Sequence, residues 1–138
     1  MDLKEMSIRN QREDMPAVVS MVETFGAAHN IPGIVINEIN LALDEVLNNI
    51  ISYGYPEREN GNITVRLAYQ PGEISAEVHD DGKPFDPGLA GPPDLSGTVQ
   101  TRKVGGVGIH FVKQLMDEVV YARVGNKNRL LIRRRIKN

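Results

Sequence analysis

The chain's pattern predicts an α+β fold, a two-layer sandwich with helices on one face of a mostly antiparallel, mixed sheet. Three observations carry that expectation. Two early stretches place apolar residues at helical spacing. The strand-like stretches come in pairs joined by tight-turn residues, as hairpins do. The length of 138 residues suits one core, so a single domain over 1–138 is expected.

In chain order, Leu3 to Ile8 reads as a short edge strand. Asp14 reads as an N-cap, with Pro16 in the first turn, where a missing N–H costs little. Val18, Val19, Met21, Val22 and Phe25 follow at helical spacing, and Gly26 lies near the end of that pattern. A longer helix carries Ile36, Ile39, Leu43, Val46, Leu47 and Ile50 as one stripe, ended by Gly54 and Pro56. Ile63, Val65 and Leu67 alternate, Pro71-Gly72 turns the chain, and Ile74, Ala76 and Val78 alternate again. The stretch from Asp80 to Gly108 is rich in glycine and proline, with little periodicity. A loop that long inside a compact domain is expected to be a lid or binding loop. A third helix over about Ile109 to Met116 and two strands, Val119 to Val124 and Leu130 to Ile136, complete the chain around a turn at Gly125-Asn126.

Composition narrows the function classes. A net charge of −2 offers no broad basic face for nucleic acid. The absence of cysteine excludes disulfides and thiolate metal sites. No stretch approaches the roughly 20 apolar residues that cross a bilayer, and MDLKEMSIRNQRED lacks the apolar segment of a signal peptide. A cytoplasmic protein that binds neither membrane nor nucleic acid is expected. His29, His79 and His110 share no spacing for a metal or a triad, and Arg133-Arg134-Arg135 alternates along a strand as an edge, a solvated face or a partner surface would.

Three local constellations could carry chemistry. Glu45 and Asn49 are four residues apart on one helix face, with Glu45 roughly 120° from the centre of the apolar stripe and Glu38 and Ala42 alongside. Mg²⁺ takes hard oxygen ligands and needs one or two protein groups when a phosphate supplies others. Asn49 suits that role, and Glu45 suits holding a water or a hydroxyl. A solvated polar face is the plainer reading of the pair. Asp80-Asp81-Gly82 closes a strand, where a carboxylate can accept from a ligand amine while the glycine turns the chain; an ordinary turn would look the same. Gly105-Gly106-Val107-Gly108 runs into a helix, where backbone N–H groups and the positive end of the helix dipole suit a phosphate, or where a hinge would sit. No Gly-Lys-Ser/Thr follows, so this is not a Walker A loop.

Taken in order, these constellations resemble the ATPase superfamily of gyrase, histidine kinases, heat-shock chaperones and mismatch-repair ATPases, with its histidine-kinase-like ATPase fold. More closely, the chain resembles the stand-alone anti-sigma-factor serine/threonine protein kinases of bacteria. DEVLNNIISYGYPE is similar to that family's N box, DDGKPFDP to its first glycine box and GGVGIHFVKQLMDEVVY to its second, over about residues 10–136. The resemblance implies Mg-ATP as the bound nucleotide and Glu45 as general base. It makes Asn49 the Mg²⁺ ligand, Asp80 the acceptor for the adenine amino group with Gly82 beside it, and Gly105, Gly106 and Gly108 the phosphate-facing glycines. It implies phosphorylation of a serine on a small anti-anti-sigma antagonist, sequestration of a sigma factor, and a homodimer. A nucleotide-dependent binding module with little catalysis is the alternative, and a detached histidine-kinase catalytic domain fits less well. Three positions depart from the family pattern: Pro84 replaces a second glycine, Val104 an arginine, with Arg102 and Lys103 close by, and Tyr53 a small residue or histidine.

Overall fold

The computed structural model describes residues 2–55, 61–84 and 106–137, with the backbone alone over 106–109. Strand β1 (Asp2–Arg9) leads through one 3-10 turn (Arg12–Asp14) into α1 (Met15–Ala28) and α2 (Gly33–Tyr53). Strands β2 (Asn62–Gln70) and β3 (Glu73–Asp80) follow, then α3 (Gly106–Leu115), β4 (Glu118–Val124) and β5 (Lys127–Arg135). The sheet order is β1-β2-β3-β5-β4. All four pairings are antiparallel, so the described sheet has no parallel pair where a mixed one was expected. The turns use glycines at positive φ, Gly72 at 87° and Gly125 at 61°, where a β-carbon would be strained.

Alternation decides which face is covered. Ile63, Val65, Leu67, Ile74, Ala76, Val78 and Ile132 are at most 1% exposed. They pack in one aliphatic core with Val18 and Val22 of α1, Ile39, Leu43 and Leu47 of α2, and Val112 of α3. The opposite face carries ion pairs across the strands, Arg66 with Glu5 (2.7 Å) and Glu77 (3.7 Å), and Arg129 with Glu77 (3.4 Å). Half-exposed pairs of this kind add little individually to stability.

Several local expectations are corrected. Asp14 precedes α1 but makes no side-chain cap bond to it. Its carboxylate accepts instead from the Arg9 N–H (3.0 Å) and Gln11 Nε2 (2.9 Å), holding the turn out of β1. These bonds, that from Gln11 first, hold its carboxyl below its ordinary pKa. Gly26 lies near the end of α1, as expected, and α2 packs closely there: a β-carbon on Gly26 would sit 2.6 Å from Ile36 Cγ1. The arginine run lies on β5, which is an interior strand and not an edge. Arg133 meets Glu73 (2.7 Å) and Glu118 (2.8 Å), while Arg134, on the helix side, meets Glu38 (3.2 Å).

The core's dependence on α2 can be measured. Leu43 is 1% exposed, so Leu43→Ala should cost about 2–5 kcal/mol in urea unfolding, from lost burial plus the cavity left behind. A loss under about 1 kcal/mol would mean α2 is not the helix that seals the sheet.

Candidate functional site

Register makes Asp80 unusual. It continues the inward-facing series Ile74, Ala76, Val78, so a carboxylate occupies an apolar position and is 4% exposed. Such a group needs hydrogen-bond partners. Its Oδ1 accepts from the Gly82 N–H (2.9 Å) and from Asn128 Nδ2 (2.9 Å). Its Oδ2 takes no hydrogen bond among the described residues, and Asp80 lines a pocket between α2 and the sheet. Burial raises the Asp80 carboxyl above its ordinary pKa, while the bonds from Asn128 and Gly82 pull it back.

Val46, Asn49, Ile50 and Tyr53 of α2 form one wall of this pocket, with Tyr121, Asn128 and Leu130 of the sheet and Lys83 on the other side. The mouth is tied by backbone, because the Lys83 N–H donates to Gly54 O (3.0 Å). Gly82 packs against that carbonyl so closely that a β-carbon there would lie 2.6 Å from Gly54 O and 3.0 Å from Asp80 Oδ1. Behind Asp80, Tyr55 donates to Asp81 Oδ1 (2.6 Å) and the Asn62 N–H reaches the same oxygen (3.2 Å). Burial, then the bond to Asp81, pushes the Tyr55 phenol pKa up, so it stays protonated.

The sequence-predicted residues fall as follows. Asp80 and Asn49 meet at the pocket, and Gly82 lies beside it with its N–H on Asp80 Oδ1. Asn49 Nδ2 is buried there without a partner, so the carboxamide is not committed to holding the fold. A half-turn of the carboxamide about its Cβ–Cγ bond presents its oxygen there instead. That fits an Mg²⁺ ligand, an ion that asks for few protein groups when phosphates bind it. Glu45 is half-buried one turn before Asn49, outside the pocket lining, and has no hydrogen bond or ion pair among the described residues. Glu38, on the same helix face, is committed to Arg134 at the other end of α2. Helix α3 begins at Gly106, so Gly106 and Gly108 belong to its first turn rather than to a loop ahead of it. Gly105, the expected lid from Asp86 to Val104, Arg102 and Lys103 lie outside the described residues.

Asn128, Tyr121 and Arg123 went unread in the sequence. Asn128 Nδ2 also donates to Lys83 O (2.8 Å), while its Oδ1 accepts from the Tyr121 hydroxyl and from Arg123 Nη1 (3.1 Å). The available signal was register: Asn128 precedes Leu130 and Ile132 on the inward face of β5, the same anomaly as Asp80 on β3.

Residues 8–134 match the histidine kinase-like ATPase domain family. The chain belongs to that family. Among curated relatives of this ATPase domain, serine-protein kinase RsbW of Bacillus subtilis is 31% identical over 88 residues, 61% of this chain and 55% of that protein. Serine/threonine-protein kinase BtrW of Bordetella bronchiseptica is 29% identical over 94 residues, 68% of this chain and 66% of that protein. The chain thus spans between about half and two thirds of the length of these relatives. Among solved structures, the RsbU and RsbW domains of Rv1364c from Mycobacterium tuberculosis superpose with a TM-score of 0.71 at 16% identity, covering 99% of this chain and 32% of that one. The catalytic domain of histidine kinase ThkA superposes at 0.57 and 15% identity, covering 99% and 97%. At those identities the likeness is one of fold. No helix among the described residues is long and apolar enough to cross a membrane.

Proposed function

We propose that this ATPase domain is an Mg-ATP-dependent serine protein kinase that acts as an anti-sigma regulatory factor in the cytoplasm. Its substrate would be a serine of a small anti-anti-sigma antagonist, and its other partners a sigma factor and a second copy of the chain. The observation that carries the reading is the buried Asp80 lining the pocket, with no hydrogen bond to its Oδ2 among the described residues. An acceptor-only oxygen selects a purine bearing an amino group and rejects one bearing a carbonyl. The kinase names of the relatives support the reaction class.

In the transfer, the substrate serine Oγ attacks the γ-phosphorus. The new P–O bond forms as the bond to the β–γ bridging oxygen breaks and ADP leaves, and the hydroxyl proton passes to the Glu45 carboxylate. Asn49 would hold Mg²⁺, which supplies charge neutralisation at the phosphates. The first turn of α3, with Gly106 and Gly108, would offer backbone N–H groups to the phosphates. Val104 stands where sporulation-type kinases carry an arginine. That departure favours, as the second reading, a nucleotide-dependent binding module that sequesters a regulator with little catalysis.

Calorimetry with Mg-ATP and Mg-GTP tests the pocket, and labelled-ATP transfer to a co-purified antagonist tests the reaction. Asp80→Asn should weaken ATP about 10- to 150-fold, the worth of a charge-assisted hydrogen bond. The same variant should keep or gain thermal stability. A carboxyl whose folded pKa is raised by burial binds its proton more tightly folded than unfolded. Its ionised form therefore costs stability above the folded pKa, and that stability returns as pH falls through it. The neutral amide removes the cost at neutral pH. Equal affinity of the wild type for ATP and GTP would defeat the assignment of Asp80. ATP-dependent capture of a sigma factor with no transfer to any antagonist would replace the kinase reading with the binding-module one.

A further inference from the structure

The orientation of the Asn128 amide is dictated by its neighbours. Nδ2 faces Asp80 Oδ1 (2.9 Å), Lys83 O (2.8 Å) and Gly82 O (3.4 Å), all acceptors. Oδ1 faces the Tyr121 hydroxyl and Arg123 Nη1, both donors. Turning the amide over would set oxygen against three oxygens, so one arrangement alone satisfies the site. Both amide hydrogens are spent, one on Asp80 and one on the Lys83 and Gly82 carbonyls. Asn128 is 5% exposed and has no donor left to offer a ligand.

The consequence falls on Asp80. With Oδ1 already accepting from Gly82 and Asn128, a proton arriving at this carboxyl goes to Oδ2. That proton would convert the pocket's acceptor into a donor, reversing the base it selects from an amino-purine to an oxo-purine. We propose that Asn128 is a specificity-positioning residue: by donating to Asp80 Oδ1 it stabilises the ionised carboxylate, in which Oδ2 is an acceptor, and so sets the preference for adenine over guanine nucleotides. This rests on the reading of the pocket as an ATP site.

The surrounding charges agree with that division of labour. Burial and the neighbouring Asp81 favour the protonated carboxyl, and the Asn128 and Gly82 bonds, with Arg123 of β4, oppose them. Tyr55 stands behind the carboxyl, with its hydroxyl committed to Asp81. Tyr121 is committed to Asn128, and Lys83 and Tyr53 line the same pocket.

The test uses the full chain, with Mg-ADP and Mg-GDP as probes to avoid turnover, titrated by calorimetry between about pH 5.5 and 8.5. The Asp80 carboxyl is followed in parallel by carbon-13 NMR, assigned through the loss of its signal in Asp80→Asn. Asn128→Ala should lower ADP affinity at neutral pH about tenfold, the scale of one charge-assisted bond. Its ADP-to-GDP preference should shrink progressively as pH falls, and the Asp80 titration midpoint should rise. Asn128→Asp should be worse, because it sets a second carboxylate against three acceptors. Tyr121→Phe removes one restraint on the amide, leaving its bond to the carboxyl in place, and should move the midpoint in the same direction by less. A folded Asn128→Ala with wild-type base preference and an unmoved Asp80 midpoint overturns the proposal. Should both Asn128 variants fail to fold, an unmoved midpoint in Tyr121→Phe overturns it instead. A wild type that binds neither nucleotide refutes the functional reading, while the NMR midpoints still report on the Asn128–Asp80 link by themselves.

Discussion

Replacing Glu45 with alanine should leave Mg-ATP affinity close to that of the wild type while phosphate transfer falls about 10²–10⁴-fold, the usual contribution of a positioned base. The separation follows from where the side chain sits. Glu45 lies one helical turn before Asn49, outside the lining of the pocket that holds Asp80. It makes no hydrogen bond or ion pair among the described residues, so its removal strips nothing from nucleotide binding and little from the fold. Its melting temperature should therefore barely move. Asn49→Ala makes the contrast: the metal-dependent part of binding and the transfer should be lost together, because one group serves both. Rapid-quench transfer and calorimetry on the two variants read the difference. Full transfer activity in Glu45→Ala would remove the proton acceptor from the mechanism, and with it the kinase reading's central residue.

Gly82→Ala should abolish measurable ATP binding, a loss of more than about 100-fold, although the added group is a single methyl. The new β-carbon would lie 2.6 Å from Gly54 O, a backbone atom that cannot rotate aside, and 3.0 Å from Asp80 Oδ1. Something must shift, and each available shift damages the pocket. Moving Gly54 breaks the Lys83 N–H bond to it (3.0 Å) at the mouth. Moving Gly82 breaks its own N–H bond to Asp80 (2.9 Å) and misplaces two carbonyls that Asn128 grips. Overpacking of this kind typically costs about 1–3 kcal/mol of stability. Denaturant unfolding should show that cost beside the lost affinity. Gly33→Ala is the control, since nothing lies within 4 Å of a β-carbon there. Undiminished ATP binding in a folded Gly82→Ala would show that the strand end and the helix end need not touch for the site to form.

Much of this arrangement is legible in the primary structure because it depends on local repetition. The stripe from Ile36 to Ile50 announced α2, and the alternations around Pro71-Gly72 announced the hairpin of β2 and β3. Four-residue spacing places Glu45 and Asn49 on one helix face. What stayed hidden is what joins distant parts. The bond from Asn128 to Asp80 spans 48 positions, and alternation predicts a start of β5 at Leu130, whereas Asn128 is the second residue of the strand. The pairing of β3 with β5 rather than β4 is a crossover that periodicity cannot express, which is why an arginine run suited to an edge sits on an interior strand. Asp14 misled for a different reason. Its position before a helix fits a cap, but β1 and Gln11 offered its carboxylate closer donors.

The stretch from 85 to 105 enters at Lys83, clamped by Gly54 O and Asn128, and leaves into α3, which packs against α2. The bonds at the first mooring are made by residues outside the segment. Lengthening a tether already closed at both ends is cheap, about 0.6 kcal/mol for each doubling. Added length between the two moorings should therefore cost the fold little. An engineer inserting a reporter or a foreign epitope would find the same freedom in the same place.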